Sequence, residues 1–200
     1  MAFTVPLPRS PLDDDLARWY ENTLGWAAVD GPPVQLVTGL RFDVLELPAA
    51  AGRAVLRRRG AATGPVALMG RRMRLLVAAG SAEELPGLLD WLEWGGISLD
   101  LAVLGAGGRM TAPIPPGRSG SGTPGAAVWL RAPEPGHEVE SSLPALRAAG
   151  RGDAGAPCLV RLVAAAAAEC HRVRLLSARP CARPYGAASQ QLTPQRFASS

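Results

Sequence analysis

The sequence predicts an α+β (α/β) protein: a mixed, mainly antiparallel sheet with flanking helices, followed by a further C-terminal helix. Three observations predict it. Short apolar runs of strand length, punctuated by Gly and Pro, recur through the first 133 residues. Segments with apolar residues three and four apart are interspersed among them. A long Ala-rich run with one apolar stripe closes the pattern at 158–178. The chain of 200 residues, 48% of them hydrophobic, is long enough to bury one real core and short for two.

Each element has its own signal. Ser10 can cap a helix, Pro11 suits the first helical position, and Asp13, Asp14 and Asp15 complement the positive end of the helix dipole. Leu12, Leu16, Trp19, Tyr20 and Leu24 then form one stripe, and Gly25 closes the helix. VQLV (34–37) and LRFDVLELP (40–48) read as strands, and a short helix runs from Ala49 to Arg59, stopping at Gly60. GPVALMG (64–70) and RRMRLLVAA (71–79) read as two strands joined by a tight turn at Gly70–Arg71. Ser81 with Glu84 three residues on makes a capping box for a helix ending at Gly95–Gly96. ISLDLAV (97–103) and GRMTAP (108–113) read as strands flanking a Gly-rich hairpin turn, LGAGG. Residues 114–125 form a flexible loop, and AAVWLRAP (126–133) is one more strand. Residues 134–157 read as a Pro/Gly-rich linker with a short helix at 142–149. The helix at 158–178 places Leu159, Leu162, Val163, Ala166, Cys170 and Val173 on one face, as an appendage to the 1–133 domain. The tail at 179–200 is expected to be disordered.

Charge is unevenly placed. All 21 basic residues are Arg, which GC-rich coding produces without selection for guanidinium contacts. Residues 1–140 carry 13 Arg and 15 acids, a net of −2, whereas residues 141–200 carry 8 Arg and 2 acids, a net of +6. A basic end can hold phosphate or a membrane surface through counterion release. No run of 18 apolar residues suggests a spanning helix, and the N-terminal segment lacks a secretory pattern, so a cytoplasmic protein with no membrane partner is expected. Cys158, Cys170 and Cys181 have no CxxC spacing, which gives neither a disulfide framework nor a zinc knuckle.

Few residues carry chemistry. GAGG at 105–108 is followed by a strand rather than a helix N-terminus, which favours a Gly-rich hairpin turn over a phosphate loop. His137 and His171 have no nucleophile or carboxylate at a telling spacing, and Cys170 and His171 face apart on a helix. The five Trp are expected in the core and at its rim. Asp43 and Asp100 stand out, because each lies within an otherwise apolar strand. A carboxylate there is costly to bury unless paired or bound to a metal. Either both face solvent on a half-exposed sheet, or they converge on one ion.

The order of these segments resembles a known family. LRFDVLELP, GPVALMGRRMRLLVAAG, a helix, GISLDLAVLGAGGRMTAPIPP and AAVWLRAP together resemble the bifunctional DNA primase/polymerase (prim-pol) N-terminal domain of the archaeo-eukaryotic primase superfamily, over residues 15–133. The most specific stretch is 96–116. The resemblance implies two-metal nucleotidyl transfer, with Mg²⁺ or Mn²⁺ held by acidic side chains. On this sequence the first acid of the first motif is Asp43 and the acid of the third motif is Asp100. The second acid of the first motif falls at Leu45. Glu46 is one residue too far and points to the opposite face of a regular strand. The family's nucleotide-contacting His falls near Met73–Arg74. Two of four expected groups remain, which implies a degenerate enzyme with residual nucleotide or nucleic-acid binding through Arg41, Arg71, Arg72, Arg74 and the basic C-terminal segment. Two alternatives are an active metal-dependent nucleotidyltransferase using Asp43, Glu46 and Asp100 as an unusual triad, and a non-catalytic scaffold that docks a protein partner through the 158–178 helix.

Overall fold

A computed structural model describes residues 11–58, 62–117, 126–136, 139–146 and 157–178, with side chains from Asp14 onward. Expectations for Ser10, for the 118–125 loop, for His137 and Cys181, and for the 179–200 tail lie outside the described residues. In chain order the elements are α1 (Pro11–Leu24), β1 (Ala28–Val29), β2 (Gln35–Val37), β3 (Phe42–Pro48), α2 (Ala49–Arg57), β4 (Val66–Met69), β5 (Arg72–Ala78), α3 (Ser81–Trp91), β6 (Ala102–Leu104), β7 (Arg109–Thr111), β8 (Val128–Arg131), α4 (Val139–Ser142) and α5 (Leu159–Ser177). The expected α+β class holds.

The organising strand is β3. It sits inside a five-stranded sheet of order β6-β3-β5-β4-β8, every ladder of which is antiparallel. Both faces of β3 are covered, so its sequence is apolar almost throughout rather than alternating. Leu45 and Leu47 face the helices, while Phe42 and Val44 face the other way. Within this sheet β3-α2-β4 and β5-α3-β6 are two interleaved β-α-β units, each pair of parallel strands separated by one antiparallel strand. That is the split β-α-β arrangement of ferredoxin-like folds.

Helices α2, α3 and α5 cover one face. Leu159, Leu162, Val163, Ala165, Ala166 and Cys170 of α5 share a core with Leu45, Leu47, Leu75 and Val77 of the sheet. The expected appendage is therefore part of the core itself, because the stripe that marks α5 as amphipathic is buried against this same domain. Small residues let the layers approach: a Cβ at Gly52 of α2 would run into Met73 Sδ. The buried Glu169 of α5 is balanced by Arg58 at the end of α2, whose Nε and Nη2 donate to Oε1 at 2.9 and 2.5 Å.

The opposite face carries α1, α4 and a second sheet of order β1-β2-β7. Tyr20, Trp26 and Phe42 form its aromatic centre, Trp26 and Phe42 lying 4.5 Å apart between ring centroids. Trp129 Nε1–H donates to the Tyr20 hydroxyl at 2.9 Å, and Tyr20 donates to the Pro113 carbonyl at 2.6 Å. Burial raises the Tyr20 pKa well above its ordinary value, so the hydroxyl stays a donor.

Four sequence expectations are corrected. Of ISLDLAV only Ala102 and Val103 join the sheet, in a strand that ends at Leu104. Leu99 and Leu101 turn into the helical core, and the backbone there serves α5 instead, the Asp100 carbonyl lying 3.5 Å from Cys170 Sγ. The GAGG segment is a turn (Gly108 N–H to Gly105 O, 3.0 Å), but it hands the chain from one sheet to the other and closes no hairpin, since β7 pairs with β2. Helix α3 stops at Trp91, short of Gly95. Glu93 adopts the left-handed conformation (φ 64°), with Glu93 N–H bonding Asp90 O and Trp94 N–H bonding Leu89 O, a Schellman cap built on a non-glycine residue. The short helix expected at 142–149 lies at Val139–Ser142, ahead of Pro144, and Leu143–Leu146 is not helical.

Candidate functional site

The carboxylates that suggest chemistry fall in two places on β3. At its Phe42 end, strand alternation sends Asp43 to the helical face together with Leu45 and Leu47. There the chain turns into α3 through Gly80, whose positive φ (87°) lets the first turn point its free amides at the strand. Ala82 N–H donates to Asp43 Oδ2 at 2.8 Å, and the Gly80 amide contributes as well. The expected capping box does not form, and Ser81 makes no cap bond. A side chain 39 residues earlier caps the helix in its place.

Asp43 is only 1% exposed, and among the described residues its Oδ1 has no hydrogen-bond partner. A Cβ at Gly105 would stand 4.0 Å from both carboxylate oxygens, and Thr38 Oγ1 donates to the Gly105 carbonyl at 2.6 Å, holding that turn against the strand. Burial raises the Asp43 pKa above its ordinary value, opposed by the amides and reinforced by Glu83. This is an acid with a helix to cap and, among the described residues, no cation beside it.

At the other end of β3 and on the opposite face, Glu46 stands across from Arg74 in the β3–β5 register. Arg74 Nε donates to Glu46 Oε2 at 2.8 Å and Arg72 Nε to Oε1 at 3.0 Å. Arg72 Nη1 also reaches Asp100 Oδ1 at 2.6 Å, and Arg74 Nη1 lies 3.7 Å from Met69 Sδ. Burial pushes the Glu46 pKa up, but the guanidiniums of Arg74 and Arg72 outweigh it and hold the carboxyl below its ordinary range. The four charges cancel.

Of the two alternatives for Asp43 and Asp100, neither holds for both: Asp43 is buried rather than facing solvent, and the two do not converge. Asp100 precedes Ala102, which pairs with Glu46, so it lies toward the Pro48 end, whereas Asp43 abuts Gly105 at the Phe42 end. The interval is four to five strand residues, roughly 15 Å. Asp100 is also outside any strand, with its side chain 63% exposed. The triad of Asp43, Glu46 and Asp100 is therefore not assembled: Glu46 faces away from Asp43, as alternation requires, and both Glu46 and Asp100 are paired with Arg. Among the described residues no group of three or more His, Cys, Asp or Glu could hold a metal ion.

Nor do the four arginines form one patch. Arg41, just before β3, pairs with Glu140 at 3.2 Å, while Arg71 is exposed in the β4–β5 turn at the far end of the sheet. Cys170 is an inert core thiol, pushed up to about 12 chiefly by burial. Four of the five Trp do lie in or against the core or a neighbouring ring, but Trp91 is 71% exposed.

Sequence reasoning missed the Arg72–Glu46–Arg74 clasp and the Arg58–Glu169 pair. The signal for the second is present, since Glu169 lies three residues after Ala166 on the buried stripe of α5. Comparison with known proteins places no relative beside this chain: no family model, curated protein or solved structure matches it.

Proposed function

We propose that this is a prim-pol-like domain that no longer transfers nucleotides and acts by binding. The observation that carries the reading is the separate employment of the three acids that a two-metal centre would need. Asp43 caps α3, and Glu46 and Asp100 neutralise Arg72 and Arg74 on another face. A divalent ion needs several oxygen ligands at one point, and here each carboxylate already serves an internal donor. A weak, sequence-independent hold on nucleotides or nucleic acid would fall chiefly to the exposed Arg71, because Arg72 and Arg74 are already matched and Arg41 is paired with Glu140.

Purified protein incubated with Mn²⁺ or Mg²⁺, labelled nucleotides and a primed template should give no extension above a protein-free control. Robust extension would overturn the reading. Docking of a protein partner through the apolar face of α5 is not favoured, since that face is spent in the domain's own core.

A further inference from the structure

Helix α5 changes character along its length. From Leu162 to Cys170 it is buried on almost every side, but Arg172, Arg174, Leu175 and Leu176 are exposed. The end of the helix is nevertheless held to the loop that follows α3. His171 packs edge-on against Trp94 with ring centroids 5.5 Å apart, and Arg174 donates to the Ser98 carbonyl. Trp91, Ile97, Leu175 and Leu176 all lie within a few residues of those contacts, and all remain exposed, Trp91 by 71%. Single exposed apolar residues are ordinary, but a group of large ones at one end of a molecule marks an interaction surface.

The charge on this surface has both signs, and the two are segregated. From Ser81 to Trp94 the chain carries Glu83, Glu84, Asp90 and Glu93 and no Arg, and all these acids are exposed. From Cys170 to Ser177 it carries Arg172 and Arg174 and no acid, and both are exposed. On α5, Arg172 shares a stripe with Leu175 and Leu176. On α3, Glu84 shares one with Trp91. Among the described residues neither those acids nor Arg172 has an ion-pair partner, whereas the nearby Asp100 is held by Arg72 at 2.6 Å.

We propose that this surface pairs with a second copy of itself. A two-fold arrangement lays the acidic side of α3 in each copy beside Arg172 of the other. Trp91, Ile97, Leu175 and Leu176 of both copies meet between them. The segregation of charge chooses this occupant. An anionic surface, lipid or nucleic acid, would gain from the arginines but be repelled by the acids of α3, and a uniformly basic partner would meet the reverse. A second copy carries both signs, and a two-fold contact requires a self-complementary patch of this kind. The apolar set is small, which suits a weak dimer in the micromolar range rather than an obligate one.

Sedimentation velocity of the full chain tests this. Between about 1 and about 200 μM the protein should pass from monomer towards dimer, and no further. The double substitution Leu175→Glu, Leu176→Glu should weaken the dimer by about tenfold or more, with the unfolding temperature of the dilute protein unchanged. Trp91→Ser, at a side chain outside the core, carries the same expectation should the double variant fold poorly. Arg172→Glu should weaken the dimer by about threefold or more, because two-fold symmetry counts the lost pairing twice. A protein that stays monomeric across that range would overturn the proposal. So would a dimer that all these variants form as tightly as the parent, since its contact would then lie elsewhere.

Discussion

At the Phe42 end of β3 a carboxylate is buried with amides and, among the described residues, no cation, and at the Pro48 end another is clasped by two guanidiniums. Asp43 and Glu46 are three residues apart on one strand, yet alternation puts them on opposite faces, and burial moves one pKa up while arginines hold the other down. The difference teaches that an acid in an apolar strand is not by itself a ligand. What decides its role is the donor that the fold brings to it: a helix N-terminus for Asp43, a paired strand for Glu46.

The largest effect expected is at the paired end. Glu46→Ala would leave the nearly buried Arg74 without its counter-charge, at a cost of about 3 kcal/mol in chemical denaturation. A loss near zero would mean that the clasp does not persist in solution. At the buried end, Asp43→Ala removes the cap of α3 and should cost about 1–2 kcal/mol. Asp43→Asn keeps an acceptor for Ala82 N–H and should cost clearly less.

Acidity sharpens the contrast, because the two groups act in opposite senses. The native Glu46 pKa lies below its ordinary 4.5, so its contribution is present above that value and is lost as pH falls through the native pKa. The native Asp43 pKa lies above 3.8, so its contribution is present below that value and is lost as pH rises through the native pKa. Relative to the parent protein, Glu46→Gln should therefore lose stability, and Asp43→Asn gain it, as pH rises from about 3 to about 6. Two curves of the same slope would break the comparison. The smallest effect belongs to Asp100→Asn, an exposed ion pair worth under about 1 kcal/mol.

Much of this fold is legible in the sequence where one local rule governs. The stripes of α1 and α5, the β4–β5 pair turning at Gly70, and the opposite facing of Asp43 and Glu46 all follow from side-chain period. Three features escaped because the deciding partner is remote. The alternation of Leu99 and Leu101 reads as strand, but these residues are satisfied by the helical core rather than by a sheet neighbour. The end of α3 turns on Glu93, whose left-handed backbone no glycine announces. The separation of Asp43 from Asp100 depends on the β3–β6 register, and nothing local sets it.

The most direct measurement follows the side-chain carboxyl carbons of Asp43 and Glu46 by NMR through an acid titration, with and without Mg²⁺. Separate structural roles predict an Asp43 midpoint above 3.8, a Glu46 midpoint below 4.5, and no movement of either on adding the ion. A Mg²⁺-dependent fall in the Asp43 midpoint, accompanied by a shift at Asp100, would contradict that account and restore a shared ion site.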